Sequence, residues 1–438
     1  MKFVSTAGET RADLGEALTS GLAPDGGLFV PERLPALDAN ALAGCQTLPE
    51  TAAHILAPFF ADSALAEALP GICREALDLP LPITVIPGRE KSEAPAWLLE
   101  LFHGPTAAFK DFAARFLAAS LSRLRADGAP ERTVLVATSG DTGSAVAAAF
   151  HRRAGFRVVV LYPDGKVSAR QAHQLGAFGD NVRAFRVQGN FDDCQRLVKR
   201  ALGDRELLEQ VPMTSANSIS IGRLLPQISY YAHAVGRLSA QTRAPIDLIV
   251  PTGNLGNALA AIMAREMGLP IGQVTLATNA NRSLPDYFAG GNFDPQKAVA
   301  TLANAMDVGA PSNFERLAWL FRDRDLRDAG IDAVSIDDER IRETIVKTDR
   351  ERGLAVCPHT ACAMAALDDR RQAGNNRPAL IAATAHPAKF EQVVEPLLGR
   401  QIPPPEALAA LLQQPSHAEK LTSDYSALKA ALRRPSRM

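Results

Sequence analysis

A lysine at position 110 stands between Phe109 and Phe112 in ELFHGPTAAFKDFAARFL, just after a Gly104-Pro105-Thr106 turn. Aromatic neighbours at the start of a helix point to burial. Burial disfavours the ammonium form, lowers the pKa and makes the neutral, nucleophilic amine accessible. Taken alone, a lysine on a surface helix is the commoner explanation of such a residue. What changes the balance is a set of loops elsewhere in the chain that are suited to anions.

In VPTGNLGNALAAIMAREMGLP an apolar run breaks into Gly253, Asn254, Leu255, Gly256 and Asn257 and then enters an Ala-rich helix. Glycines let the backbone come close to an anion, free N–H groups at the helix start point at it, and the helix dipole favours negative charge. The loop is not a P-loop, since no Gly-Lys-Ser/Thr follows, and it lacks the G-x-G-x-x-G spacing of a dinucleotide fingerprint. By itself it is also compatible with a plain turn between strand and helix. A second loop, ATSGDTGSAVAAAF, repeats the design with Ser139, Gly140, Asp141, Thr142 and Gly143. Its hydroxyls and helix-start amides can hold a carboxylate or phosphate, although Ser139 or Thr142 alone is as readily a simple N-cap. Two anion sites fit a phosphorylated cofactor beside an anionic substrate. A last polar loop, ATAHPAKF, places Thr384 and His386 after an apolar run. A neutral hydroxyl such as Thr384 can hydrogen-bond an unprotonated pyridine nitrogen, whereas His386 and Lys389 read as structural. In CPHTAC, Cys357, His359 and Cys362 approach metal-ligand spacing, but a structural zinc needs four ligands and no second Cys or His pair lies nearby. That segment reads instead as a helix start in an apolar setting.

These loops need elements to hold them. TVLVATSG (133–140), RVVVLYP (157–163), VRAFRVQG (182–189), IDLIVPTG (246–253), VTLATNA (274–280) and ALIAATAHP (379–387) each read as a strand running into a polar or Gly-containing loop, with Ala-rich amphipathic stretches between. This is the pattern of parallel strands joined by crossover helices, an α/β protein. Ligands of open α/β sheets bind at the carboxyl ends of the strands, where these loops lie. The first hundred or so residues differ, with helical segments around ADLGEALTSG and ETAAHILAPFFADSALAEAL and a turn-rich GLAPDGGLFVP between them, so they read as a separate cap. After the QIPPP break, EALAALLQQ and SDYSALKAALRR read as short amphipathic helices.

The 438 residues suffice for two or three domains with proper cores. Lys plus Arg (47) nearly balance Asp plus Glu (48), so no global field draws in nucleic acid or an anionic membrane. The N-terminal stretch lacks the apolar core of a signal peptide and no apolar run approaches the roughly 20 residues that span a bilayer, which leads to the expectation of a cytoplasmic protein without membrane or nucleic-acid partners. Five scattered cysteines fit reduced thiols better than a disulfide framework.

Read in order, STAGET, GLAPDGGLFVPE, FHGPTAAFKDFA, TSGDTGSA, YPDGKVSARQ, QGNFDDC, TSANSISIGRLLPQ, VPTGNLGNALA, TLANAMDVGAPSNFERL and ATAHPAKF make the chain resemble, nearly end to end, the threonine synthase family in its longer bacterial and yeast subgroup. Any one block is modest; their order is specific. The resemblance implies a fold-type II pyridoxal-phosphate enzyme, tryptophan synthase β-like, with open twisted sheets, helices on both faces and an N-terminal cap. It implies a cap over 1–90, a large cofactor-binding domain from 91–111 and 236–400, a small domain over 112–235, and a C-terminal helical tail over 401–438, with the active site between the domains. By the same resemblance pyridoxal 5'-phosphate is the cofactor, Lys110 is the lysine that carries it, the loop Gly253, Asn254, Leu255, Gly256, Asn257 holds its phosphate, and Thr384 faces its pyridine nitrogen. The family reaction converts O-phospho-L-homoserine and water to L-threonine and phosphate. Ser139, Asp141, Thr142, Asn217, Lys166 and Asn190 are then candidates for gripping the substrate's carboxylate or leaving phosphate. Leu255 stands where the family commonly has Phe, and Ser220 where it often has Asn. Three other readings stay open on the sequence: a phospho-lyase giving 2-oxobutyrate, another fold-type II amino-acid lyase, and a nucleotide-binding regulatory protein that uses the Gly253 loop without chemistry.

Overall fold

The computed structural model describes residues 1–37, 42, 44–242 and 244–434. The chain opens with β1 (Phe3–Ser5), β2 (Arg11–Ala12) and β3 (Phe29–Pro31), which form a small antiparallel sheet in the order β2-β1-β3. Helices Leu14–Ser20, Leu48–Phe60 and Leu69–Leu77 complete this cap. The second of them begins on a reciprocal Thr47/Glu50 capping box and buries Ile55, Leu56, Phe59 and Phe60. It packs on the long helix Ile221–Thr242, where Thr51 Oγ1 lies 2.8 Å from His233 Nδ1.

Next come β4 (Ile83–Ile86) and β5 (Ala96–Glu100), an antiparallel pair. The chain then leaves through the helix Lys110–Leu124 and builds β6 (Arg132–Ala137), β7 (Phe156–Pro163), β8 (Val182–Gln188) and β9 (Met213–Ser215). It returns along Ile221–Thr242 to form β10 (Ile246–Pro251), β11 (Ile271–Thr278), β12 (Ile331–Ser335) and β13 (Ala379–Ala383) before ending with β14 (Glu419–Thr422). Six strands make one sheet, β12-β11-β10-β13-β5-β4, parallel except for the edge pair β4 and β5. Five make an all-parallel sheet, β14-β8-β7-β6-β9. The α/β expectation therefore holds, and every strand foreseen from an apolar run is present.

The interiors of both sheets explain their parallel character. All eight residues of β7 and all six of β10 are buried, as strands covered on both faces must be. One apolar core runs through Phe29 and Phe59 of the cap, Phe116 of the helix Lys110–Leu124, Val134 of the five-stranded sheet and Leu248 of the six-stranded one. Two elements depart from the sequence reading. β4 hydrogen-bonds β5, so residues 83–86 join the larger sheet although they were grouped with the cap. The tail is not helical alone: between helices Glu406–Leu412 and Tyr425–Arg433 it contributes β14, with Leu421 opposite Val187 of β8. Only Leu421 of that strand is buried, so no apolar alternation marks it in the sequence. Residues 435–438 of the tail lie outside the described residues. No helix among the described residues is long and apolar enough to cross a membrane.

Candidate active site

The carboxyl ends of the two sheets face a common cavity of about 370 Å³, within the size range of small-molecule sites. Lys110 lines it from the first turn of its helix. The turn before that helix is fastened by Asp111, whose carboxylate accepts from Thr106 N at 2.9 Å and Thr106 Oγ1 at 2.7 Å. It is also stitched to the loop after β13, since Phe109 N donates to Thr384 O at 2.9 Å and His386 N to Ala107 O at 3.1 Å. The apolar stripe Phe112, Phe116, Leu117 and Leu121 drives the helix into the core and leaves Lys110 at its open end, with 15% of its side chain exposed. Burial lowers the pKa of its amine, Asp141 opposes that shift, and Lys389 and Arg223 add to it. The aromatic flank that suggested burial is real: Nζ lies 4.9 Å from the centre of the Phe109 ring.

The loop after β10 contributes Gly253, Asn254, Leu255, Gly256 and Asn257 to the cavity wall. A Cβ on Gly253 would sit 2.6 Å from the Met306 Cα, so only glycine lets these two backbones approach. Leu255 adopts a left-handed conformation (φ 63°) and anchors its side chain in the core, while no side chain caps the helix Gly256–Glu266 that follows. Its first N–H groups are thus free of a side-chain acceptor, the arrangement that binds a phosphate. The side chains of the two asparagines do different work. Asn254 ties the loop to Ser218 and to Ser312 N. Asn257 Oδ1 accepts from Tyr230 and Tyr231, each at 2.7 Å, while its Nδ2 is buried with no partner among the described residues. A buried donor without an acceptor costs free energy, so a ligand oxygen at this point would be favoured. The cradle, the uncapped helix and the orphaned amide fit the phosphate of pyridoxal phosphate, and Thr384, which lines the same cavity, offers a hydroxyl for its ring nitrogen.

The loop after β6 brings Ser139, Asp141 and Thr142 to the opposite wall. Thr138 Oγ1 holds its shape by accepting from Gly140 N and Gly143 N, both at 2.9 Å. Gly140 has φ 130°, and a Cβ there would meet Gln171 Nε2 at 2.6 Å. Ser139 and Thr142, both candidates for the substrate grip, line the cavity. Asp141 does not suit that part. Its Oδ1 takes the Lys389 ammonium at 2.8 Å and Gln171 Nε2 at 3.0 Å, and its Oδ2 lies 3.5 Å from Lys110 Nζ. Burial alone would raise its pKa, but Lys389 and Lys110 hold it far below the ordinary carboxylate range. An ionised carboxylate whose oxygens are already taken by Lys389, Gln171 and Lys110 has no donor to offer an anionic substrate.

Three other candidates need similar correction or narrowing. Asn217 lines the cavity, but its Nδ2 donates to Ala137 O at 2.8 Å and its Oδ1 accepts from Ser215 Oγ at 3.2 Å, so its amide is committed to joining β6 and β9. Asn190 is exposed and is not brought to the cavity; it caps the helix Phe191–Gly203 through a reciprocal box with Asp193, and its neighbours Phe191, Asp192 and Gln195 line the wall instead. Lys166 is exposed on the turn after β7 and also stays outside. Conversely, the cavity holds Arg223, Gln227 and His359, to which the sequence reading gave no part in the site. Arg223 is buried without a carboxylate partner among the described residues; burial pulls its pKa down to about 10, so it remains a cation at neutral pH. Burial pushes His359 down to about 3, and its Nε2 accepts from Ala305 N at 3.1 Å, so the ring is neutral. The helix-start reading of CPHTAC is borne out, with Cys357 as N-cap of Pro358–Gln372. A polar pair four residues apart opening an otherwise apolar helix, as in IGRLLPQ, is the signal by which Arg223 and Gln227 could have been found.

A mostly parallel and an all-parallel sheet, with a buried lysine and a glycine-lined cradle at their carboxyl ends, define the class of fold-type II pyridoxal-phosphate enzymes, and residues 80–384 match the family described as pyridoxal-phosphate dependent enzyme. Residues 2–77 match the threonine synthase N terminus and residues 360–432 the threonine synthase C-terminal family. The chain is 41% identical to the threonine synthase of Haemophilus influenzae over 97% of each protein. Its structure superimposes on that of Escherichia coli threonine synthase with a TM-score of 0.90 at 37% identity, covering 99% of each chain. The pyridoxal-phosphate-bound threonine synthase of Brucella melitensis matches with a TM-score of 0.88 at 33% identity over the whole of both chains. The chain belongs to the threonine synthase family.

Proposed function

We propose that the chain converts O-phospho-L-homoserine and water to L-threonine and phosphate, with pyridoxal 5'-phosphate carried on Lys110. Family membership supports pyridoxal-phosphate-dependent threonine synthesis on a small-molecule substrate. The observation that carries the residue-level reading is Lys110 itself, a largely buried, desolvated amine lining the same cavity as a glycine cradle and an uncapped helix. Pyridoxal phosphate, when bound, supplies an electron-poor ring that accepts the electron pair of a broken C–H bond.

The protein's own groups divide the remaining tasks. The backbone of Gly253–Asn257 and the Asn257 amide bind the cofactor phosphate, and the Thr384 hydroxyl orients the ring without protonating it. The Ser139 and Thr142 hydroxyls, with the N–H groups opening the helix Asp141–Phe150, donate to the substrate's carboxylate or phosphate. Arg223 adds a positive charge to the cavity lining. Lys110 Nζ, in its neutral form, takes the proton from the substrate Cα. Phe109, Leu255 and Met306 line the cavity and exclude bulk water. Bacterial threonine synthase relatives support a cytoplasmic location.

The test is a product balance. Purified protein with pyridoxal phosphate and O-phospho-L-homoserine is expected to release one threonine per phosphate. 2-Oxobutyrate as the main product would overturn the reading.

A further inference from the structure

Lys389 is the most conspicuous group that this function leaves unused. It is fully buried, in the short 3-10 turn Pro387–Phe390 after β13, and its Nζ donates to Thr106 O at 2.7 Å. Its other partner is Asp141 Oδ1 at 2.8 Å, the carboxylate whose second oxygen faces Lys110 at 3.5 Å. A buried ion pair is expensive to desolvate, and apolar residues of similar volume commonly serve stability as well. Holding two charges here therefore calls for a purpose other than stability. Gln171, clamped by Ser168 and Asn304, gives Asp141 Oδ1 a further donor, so the carboxylate cannot swing away from the two lysines.

We propose that Lys389 and Asp141 act together as a positioning pair for Lys110, with Asp141 fixing the place of Nζ and Lys389 offsetting the Asp141 charge that would otherwise hold Nζ as an ammonium. This rests on the reading of Lys110 as the cofactor-carrying lysine. A lone carboxylate at this distance would stabilise the ammonium, leaving the amine a poor nucleophile and a poor base. No carboxylate at all would leave the amine unlocated. Lys389 sits on the far side of the carboxylate and so weakens its field without entering the cavity. The other charged and titratable groups that act on these three are Asp111 on the helix of Lys110, Arg223 on the helix Ile221–Thr242, Cys357 and His359 at the start of Pro358–Gln372, and His386 just before the turn of Lys389, with Asp192 and Asp307 farther along the cavity wall. Arg223 acts on Lys110 in the same sense as Lys389, and Asp141 in the opposite sense.

The sign is what a structural role would not reproduce. Apoprotein is mixed with pyridoxal phosphate across a pH series, and the rate of appearance of the visible absorption band gives a midpoint for deprotonation of Lys110. Lys389→Met exposes the amine to the full Asp141 charge and is expected to move this midpoint to higher pH by about one unit or more. Asp141→Asn, which keeps shape and can still accept from Lys389, is expected to move it to lower pH by a similar amount. Lys389→Arg restores the charge and the wild-type midpoint. If Lys389→Met does not fold, the near-isosteric Asp141→Asn still decides, because an unmoved midpoint in that variant overturns the proposal. Unmoved midpoints in both variants, or a shift of Lys389→Met to lower pH, overturn it as well. A wild-type protein that never develops the band would instead overturn the functional reading on which the proposal rests.

Discussion

The loops after β10 and β6 share a plan, apolar strand, glycine-punctuated turn and Ala-rich helix, yet they have opposite electrostatic characters. The loop after β10 meets Met306 backbone on one side and two tyrosine hydroxyls on the other, so Gly253 is pressed close, the helix start stays uncapped, and the Asn257 amide has a donor to spare. The loop after β6 carries an acid in its first helical position, and that acid is claimed by Lys389, Gln171 and Lys110. One loop offers donors to an anion; the other places a clamped negative charge beside the amine and leaves only its hydroxyls and amides for substrate. Identical local grammar acquires different chemistry from the residues that long-range folding brings against it.

That contrast can be broken at either loop, and most sharply at the lysine between them. Lys110→Ala is expected to lower turnover by about 10³-fold or more, with loss of the lysine-dependent absorption band, measured by phosphate release and visible spectra. Gly253→Ala should weaken pyridoxal phosphate binding by about 10- to 100-fold, because the new Cβ must displace the Met306 backbone. Titration of the cofactor band measures this, and saturating cofactor should restore most of the turnover. Gly140→Ala separates the loops: it strains the φ 130° turn and crowds Gln171, so turnover should fall about tenfold while cofactor affinity stays near wild type. Equal loss of cofactor affinity in both glycine variants would mean that the loops do not differ as described. Asn257→Ala leaves the Tyr230 and Tyr231 hydroxyls without their shared acceptor and should cost about 1–3 kcal/mol in denaturant unfolding of the apoprotein. Smallest of all, Asn190→Ala should cost about 1 kcal/mol as a lost helix cap and leave substrate KM within about twofold. A tenfold rise in KM would return Asn190 to the substrate grip.

Sequence reached the site wherever chemistry and element boundary coincide. Lys110 was legible because Phe109, Phe112 and the Gly-Pro-Thr turn announce a buried helix start, and the Gly253 loop because β10 is an unbroken apolar run ending in glycines. The place of Lys389 beside the site was not legible, since its contacts are with Asp141 and with Thr106, 283 positions away in the chain. Asp141 was misjudged for the same reason: a helix-start acid in a Ser/Thr/Gly loop looks like part of a polar grip until the lysine behind it is seen. Asn190 failed differently, because Asn-x-x-Asp at a helix start is a capping box and its polarity is spent locally. The strand β14 escaped because an edge strand with one buried residue carries no period to read.

The most direct test exploits the two lysines on either side of Asp141. The holoprotein is treated with borohydride, digested, and mapped by mass spectrometry for the residue that bears the reduced pyridoxyl group. The account requires the label on Lys110, which lines the cavity, and none on Lys389, which is fully buried behind the carboxylate. Label on Lys389, or on no lysine of this cavity, would contradict it.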